Sequence, residues 1–481
     1  MLMKSIHLLC LSFRAAVRRV TIYKKEGSNV RDTFRGGVHP KERKELSKEA
    51  SLRVFDAKGE MVFPLAQHIG KPAKAIVKKG DPVLVGQCIA AADGFVSANV
   101  ISSCSGTVKA VEKRRTIAGV LQECVVIDND GQYTETGTFG QRRDITDITN
   151  QEILKRVADA GITGLGGAGF PTHVKLAPKE PLKIKYLIAN GAECEPYITC
   201  NDQLMRGYAK EIVEGMEIML RLFPNAEGVV AIEGNKPEAI AAMEMAVKGH
   251  PRLRVQKLRT KYPQGGERSL ISVIAGVDYP TSKLPADVGC IVDNVGTIYA
   301  VGRAVLYNEP LFRHVITVTG EGVANPSNFI ARDGTSFREM IEAAGGLKEG
   351  AEPKKVISGG PMMGLAVSTL DVPITKTTNA VTVLLEDEVE KAELKLTTCL
   401  HCGRCTTVCP NGLMPQMMAD AIISGDMERY EKKLYGLDCI FCGSCTFICP
   451  AKRPLTQNFK QTKAEILAKK RAAQAAQGGG K

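Results

Sequence analysis

One phrase occurs twice in this chain. CLHCGRCTTVCP begins at Cys399 and CIFCGSCTFICP at Cys439, and each reads C-x2-C-x2-C-x3-C-P. The copies set Cys399, Cys402, Cys405 and Cys409 before Pro410, and Cys439, Cys442, Cys445 and Cys449 before Pro450. Structural zinc sites usually present two separated C-x2-C pairs to one ion, and neither copy has that form. The chain holds fifteen cysteines without convincing secretory features, which points to a reducing compartment where thiols are ligands or core residues rather than disulfides. The other seven are scattered at Cys10, Cys88, Cys104, Cys124, Cys194, Cys200 and Cys290 and read as small buried hydrophobes.

Three cysteines at two-residue intervals, a fourth after three residues and a closing proline form the bacterial run for a [4Fe-4S] cluster. In the two-cluster form the fourth cysteine of each run crosses over. Cys399, Cys402, Cys405 and Cys449 are therefore expected to hold one cluster, and Cys439, Cys442, Cys445 and Cys409 the other. The prolines turn the chain, and Gly403 and Gly443 let the backbone pass close to the sulfides. Two adjacent cubanes conduct single electrons, so a source or sink of electrons belongs elsewhere in the chain.

At 481 residues, 44% hydrophobic and 24% charged, the chain has material for three or four soluble domains. No run of about 18 apolar residues is present, so no membrane-spanning helix is expected. The opening MLMKSIHLLCLSFRAAVRRV puts its arginines after the apolar stretch, which is poor signal-peptide grammar; it reads as an extension ahead of a fold that begins near Thr33. The formal charge is +12, of which the segment from Ala451 carries +7. That tail has no aromatic after Phe459, which argues against nucleic acid and leaves a solvated helix, or a contact with anionic lipid or an acidic partner.

From Val54 to Ile127, β-branched runs alternate with the turn signals Lys79-Gly80-Asp81 and Ser105-Gly106, giving a small barrel-sandwich. It looks like a biotinyl or lipoyl carrier but lacks the carrier's Met-Lys hairpin. An α/β region follows. Ile153, Leu154, Val157 and Ala158 make a helical face, KIKYLIAN a buried strand, Tyr208 to Phe223 a second striped helix, and GVVAIE and GCIVDN further strands; strands separated by helices imply a parallel sheet. Between the first helix and strand lies GLGGAGFPT, Gly164 to Thr172, whose glycines allow successive N–H groups to converge on a phosphate. It is neither a Walker loop nor the dinucleotide fingerprint. NGAECEP, Asn190 to Pro196, puts polar side chains at a strand end. VITVTGEGVANP, a capping box of Ser336 with Glu339, and KKVISGGPMMG suggest a β-grasp unit.

Together these phrases resemble a known family. GLGGAGFPT and NGAECEP are similar to the flavin loop and acidic segment of the NADH-oxidising flavin subunit of respiratory complex I, and YPQGGERSL and DNVGT echo two further segments of that site. The order found here, opening with FRGGVHP, resembles the RnfC subunit of the Rnf ion-translocating electron transport complex over roughly residues 33 to 460. The resemblance implies that Gly164, Gly166, Gly167, Gly169 and Lys175 contact a noncovalent FMN, with Asn190 and Glu193 on the flavin side. Glu195 and Glu267 then face NAD(H) as catalytic residues. The chain departs from the complex I pattern at Leu165, Ala192 and Asp293.

The expected architecture is multidomain α/β plus β. It comprises an extension over 1–32, expected to be disordered, a barrel-sandwich over 33–140 and an FMN/NADH-binding α/β domain over 141–310. A β-grasp, SLBB-like domain over 311–370, a helical two-cluster ferredoxin domain over 371–460 and a basic tail over 461–481 complete it. The resemblance implies an oxidoreductase and translocase subunit passing electrons between NAD(H), FMN and two [4Fe-4S] clusters, peripheral on the cytoplasmic face of the cell membrane. Its implied partners are the membrane subunits of the complex and its ferredoxin-like subunit, RnfB. Two other readings fit part of the residues: a relay and docking subunit without flavin chemistry, and a soluble flavin and iron-sulfur cobalamin reductase.

Overall fold

Four parallel strands form the sheet on which the site is built, in the order Leu253–Leu258, Glu227–Glu233, Tyr186–Gly191 and Cys290–Asn294. The structure is a computed structural model that describes residues 31–137 and 139–478, and from Asp32 onward the chain forms one compact unit. The expected extension therefore lies almost wholly outside the described residues. Glu227–Glu233, Tyr186–Gly191 and Cys290–Asn294 are mostly buried apolar runs because helices cover both faces, whereas the edge strand Leu253–Leu258 carries Arg254, Gln256 and Lys257. Leu187 and Val230 of the sheet pack with Met216 and Ile298 of the helices Ala209–Arg221 and Val295–Tyr307. Those two helices touch at Gly215, where an added Cβ would lie 2.1 Å from the Ile298 carbonyl oxygen. After Tyr186–Gly191 the chain winds to one side for two strands and returns on the other side as Cys290–Asn294. A crevice thus opens between the carboxyl ends of these two strands, where such sheets bind ligands.

The barrel-sandwich consists of a four-stranded antiparallel sheet, in which Gly106–Arg115 pairs with Leu121–Asn129, and a three-stranded one around Cys88–Ala91. Met61, Phe63, Ile89, Val100, Val125 and Ile127 fill its interior. The turn signals act as anticipated: Asp81 accepts from the Lys78 N–H at 2.9 Å, and Gly106 has φ 150 with the Asp128 carbonyl 2.1 Å from where its Cβ would be.

The third sheet is mixed and six-stranded, in the order Leu52–Phe55, Ser327–Arg332, Arg313–Thr319, Ala380–Leu384, Lys355–Ser358 and Leu365–Ala366. Its first strand and Ala380–Leu384 come from outside 311–370, so this unit is not a local hairpin assembly. The Ser336 capping box is half made. The Ser336 hydroxyl accepts from the Glu339 N–H at 3.2 Å, but Glu339 turns to the Lys58 and Gly59 amides at 2.8 and 3.0 Å, because those amides otherwise have no partner in their turn.

In the C-terminal region the repeated sequence gives repeated geometry. Gly403 (φ 73) and Gly443 (φ 80) precede the short helices Arg404–Thr407 and Ser444–Ile448. Met418, Tyr430, Leu455 and Phe459 form the core between Pro415–Ile423 and the long helix Leu455–Gly478. No helix among the described residues is long and apolar enough to cross a membrane.

Candidate functional site

The glycine-rich loop meets the crevice at its rim. Gly164 and Gly169 close the loop, with the Gly169 N–H on the Gly164 carbonyl at 2.7 Å, and the Leu165 N–H donates to the Thr297 hydroxyl at 2.9 Å. Gly166 has φ 71, and a Cβ there would lie 2.8 Å from Asn294 Nδ2. Gly166, Gly167 and Ala168 are exposed, and their N–H groups make no hydrogen bond among the described residues. Three successive unpaired amides are a cradle for a phosphate.

Behind the loop, Lys175 Nζ donates to the Val292 carbonyl at 2.8 Å and lies 3.2 Å from Asp293 and 3.9 Å from Glu267. Burial works against the Lys175 charge, but Asp293 and then Glu267 raise its pKa on balance. Burial pushes both carboxylates upward. Neither Asp293 oxygen completes a hydrogen bond among the described residues, so the Lys175 contact is an ion pair and the carboxylate keeps its acceptors. Glu267 starts the helix Glu267–Ile274, and its side chain is 43% exposed. Asn190 is held at the strand end by its side-chain N–H₂ on the Gly265 carbonyl at 2.9 Å. Exposed amides, an unfilled buried carboxylate and a partly exposed lysine fit the phosphate, hydroxyls and ring of a flavin nucleotide.

The acidic segment is arranged differently from its sequence reading. Glu193 (φ 52) takes the Asn201 N–H at 2.6 Å and the Asp202 N–H at 3.4 Å. It thereby caps the helix Cys200–Gly207, whose preceding Thr199 makes no side-chain cap. Glu195 accepts from the Met362 and Met363 amides at 3.2 and 2.9 Å. Burial pushes its pKa up to about 7, only partly offset by these amides. Two buried lysines that no sequence pattern singles out hold the segment from below. Lys44 donates to the Glu195 and Ile198 carbonyls, and Lys236 to the Ala192 carbonyl at 2.8 Å. Gly164, Gly166, Gly167, Gly169, Lys175, Asn190 and Glu267 thus converge on the crevice, whereas Glu193 and Glu195 are engaged by the protein itself.

The eight repeat cysteines line two cavities. One is bordered by Cys399, Cys402, Cys405 and Cys449, the other by Cys409, Cys439, Cys442 and Cys445, which is the crossed partition. The His401 and Phe441 N–H groups point at the Cys399 and Cys439 sulfurs at 3.4 Å each. Burial pushes the Cys439 and Cys445 thiols up to about 11 and about 12, so thiolates there require the positive charge of bound iron. Among the described residues no three His, Cys, Asp or Glu side chains form a site for a single metal ion. Sets of four cysteines around separate cavities fit cubanes.

A small apolar contact runs from the second cavity to Cys194, whose sulfur takes the N–H of Gly265, the residue that holds Asn190. Val38, Tyr262 and Cys442 pack with Cys194, Met362 and Val408. Val38 and Tyr262 exchange backbone hydrogen bonds at 2.8 and 2.9 Å, and the Gly37 N–H reaches the Val408 carbonyl at 2.8 Å. FRGGVHP is therefore the strap between the sheet and the cluster region. At Gly36, φ 80, a Cβ would sit 2.8 Å from the Cys409 carbonyl oxygen, so no larger residue fits.

Four family models match in chain order: the RnfC barrel sandwich hybrid domain at 32–132, the Nuo51 FMN-binding domain at 157–303, the SLBB domain at 315–366 and the 4Fe-4S dicluster domain at 393–453. These bear out the multidomain α/β plus β architecture, and the cofactors are FMN and two [4Fe-4S] clusters. The chain is 42% identical over 440 residues to the subunit designated C in the Na(+)-translocating ferredoxin:NAD(+) oxidoreductase complex of Acetobacterium woodii, covering 91% of this chain and 98% of that one. It is 42% identical over 436 residues to the proton-translocating counterpart of Clostridium ljungdahlii, covering 90% and 94%. A solved NAD+-reducing [NiFe]-hydrogenase aligns at 21% identity and TM-score 0.44 over 68% of this chain and 67% of that one. The chain belongs to the RnfC family of subunits of ion-translocating ferredoxin:NAD(+) oxidoreductase complexes.

Proposed function

We propose that this chain is the subunit at which such a complex exchanges electrons with NAD(H), and that it passes them through FMN to its two clusters. The observation that carries this reading is the apolar contact of Tyr262, Val38, Cys194 and Cys442, which runs from a cluster cavity to Gly265, the residue whose N–H reaches the Cys194 sulfur and whose carbonyl holds Asn190 at the crevice. FMN, when bound, accepts an electron pair and releases single electrons, as a relay between nicotinamide and iron-sulfur clusters requires. In this reading Gly166, Gly167 and Ala168 donate to its phosphate, and Lys175 and Asp293 meet its polar edge. Glu267 faces the nicotinamide nucleotide. Glu195 acts through the Met362–Met363 loop as a positioning residue. The chain works as a peripheral subunit on the cytoplasmic face of the membrane, with the membrane subunits and the ferredoxin-like RnfB as partners.

The relay-only alternative draws support from Glu193 and Glu195, since both carboxylates are satisfied within the chain. Anaerobic visible spectra separate the two. Flavin-reconstituted protein is expected to bleach on addition of NADH and then to show reduced clusters; a spectrum unchanged by NADH would leave a relay and docking subunit.

A further inference from the structure

A cavity of about 270 Å³ lies where the α/β domain meets the six-stranded sheet. One wall is the face of Val295–Tyr307 that carries Tyr299, Ala300 and Arg303, continued by Leu204 and Tyr208; Arg313, Val315 and Ile330 of the sheet stand opposite. Lys175, Asn190 and Glu267, which mark the nucleotide crevice, do not border it. Of the residues assigned to FMN, only Gly166 does. Junctions between domains are where small-molecule sites most often form.

The lining is apolar at one end and cationic at the other. Leu165, Leu204, Ala300 and Leu311 are buried, and Tyr208 and Tyr299 meet edge to face with ring centroids 5.4 Å apart, so the apolar end has an aromatic wall. The charged groups that border the space are Arg303, Arg313, Glu309 and His314. His314 is balanced by Asp333 at 3.0 Å. Glu309 lies between the two guanidiniums, taking Nε and Nη2 of each, which leaves one positive charge in excess. Nη1 of Arg303 and Nη1 of Arg313 complete no hydrogen bond among the described residues. Burial pushes the Tyr299 phenol up to about 12, so it stays a neutral donor, and it too has no hydrogen-bond partner among the described residues. Unused donors of both guanidiniums and a phenol at the end of an apolar slot call for a carboxylate on a flat apolar body. Roughly 150 Å³ suffices for one benzene ring, so this space accommodates about two fused rings.

We propose that this cavity is a second small-molecule site, for a planar aromatic monocarboxylate of about two fused rings, its carboxylate met by Arg303, Arg313 and Tyr299 and its rings laid against Tyr208 and the buried leucines. The inference stands apart from the electron-transfer reading, since neither Glu195, Glu267 nor any cluster cysteine takes part.

The test is equilibrium dialysis of 2-naphthoate against the full chain loaded anaerobically with FMN and both clusters, with 2-naphthamide as the uncharged probe of the same shape. One equivalent of naphthoate is expected to bind without releasing FMN, and the amide to bind at least about tenfold more weakly. Arg303→Gln should weaken naphthoate about tenfold and Tyr299→Phe severalfold. Ala300→Leu, which fills the slot and changes no charge, should weaken both probes alike. FMN content, iron content and circular dichroism of each variant should stay as in the wild type, which separates a lost site from a lost fold. No saturable binding would overturn the proposal and leave a solvent-filled joint between domains. Release of one FMN per naphthoate bound would also overturn it, because the cavity would then belong to the flavin site. Equal affinity for the amide, or wild-type affinity in all three variants, would do the same.

Discussion

The carboxylate of Glu195 accepts the Met363 N–H at 2.9 Å. This bond ties the end of the acidic segment to the GGPMMG loop, and that loop in turn touches Gly443 beside the second cluster cavity. A residue assigned by resemblance to the nucleotide thus sits in the joint between sheet and cluster region.

Glu195 is expected to titrate at about 7 because burial penalises its anion more than two amides favour it. Its folded pKa lies above the ordinary carboxylate value. The contribution to stability is therefore full below about pH 4.5 and is lost as pH rises through 7. Glu195→Gln should flatten the pH dependence of the denaturation midpoint between those limits. Difference infrared spectra should show a protonated carboxyl band in the wild type that titrates near 7 and is absent in the variant.

Gly166→Ala should weaken FMN binding roughly tenfold. A side chain at φ 71 costs about 1–2 kcal/mol, and the new Cβ would press on Asn294 Nδ2 at 2.8 Å, the residue that caps the helix Val295–Tyr307. Fluorescence titration of the apoprotein with FMN measures the change, and cluster content should not alter.

Lys175→Met removes the ammonium 3.2 Å from Asp293, whose side chain is 1% exposed. Leaving that charge unpaired should cost about 3 kcal/mol. The double variant Lys175→Met/Asp293→Asn should recover most of the loss, read as the midpoint of denaturant unfolding.

Cys449→Ala should damage the cluster of Cys399, Cys402 and Cys405, with which it shares a cavity, and leave the cluster of Cys439, Cys442 and Cys445 intact. Cys409→Ala should do the reverse. Paramagnetic resonance of each reduced variant, with iron and sulfide assays, distinguishes the two outcomes.

Elements with a local cause are legible in the residues themselves. Four thiolates at fixed spacing specify a cubane, and β-branched runs between Gly and Asp turns specify the barrel-sandwich strands. The apolar stripe from Tyr208 to Phe223 likewise specifies a helix. The glycine loop is legible because positive φ and bare amides need glycine. Everything with a distant cause waits on packing. Leu52–Phe55 and Ala380–Leu384 join a sheet whose other strands lie far away in sequence, and nothing in either segment names its neighbour. Lys44 and Lys236 look like surface lysines until the fold buries them against the carbonyls of Ala192, Glu195 and Ile198, where a buried ammonium must find acceptors. Glu193 and Glu195 read alike in NGAECEP, yet one caps a helix and the other fastens a loop. A carboxylate's partner is whichever N–H the fold leaves unpaired beside it, and that depends on how distant segments pack.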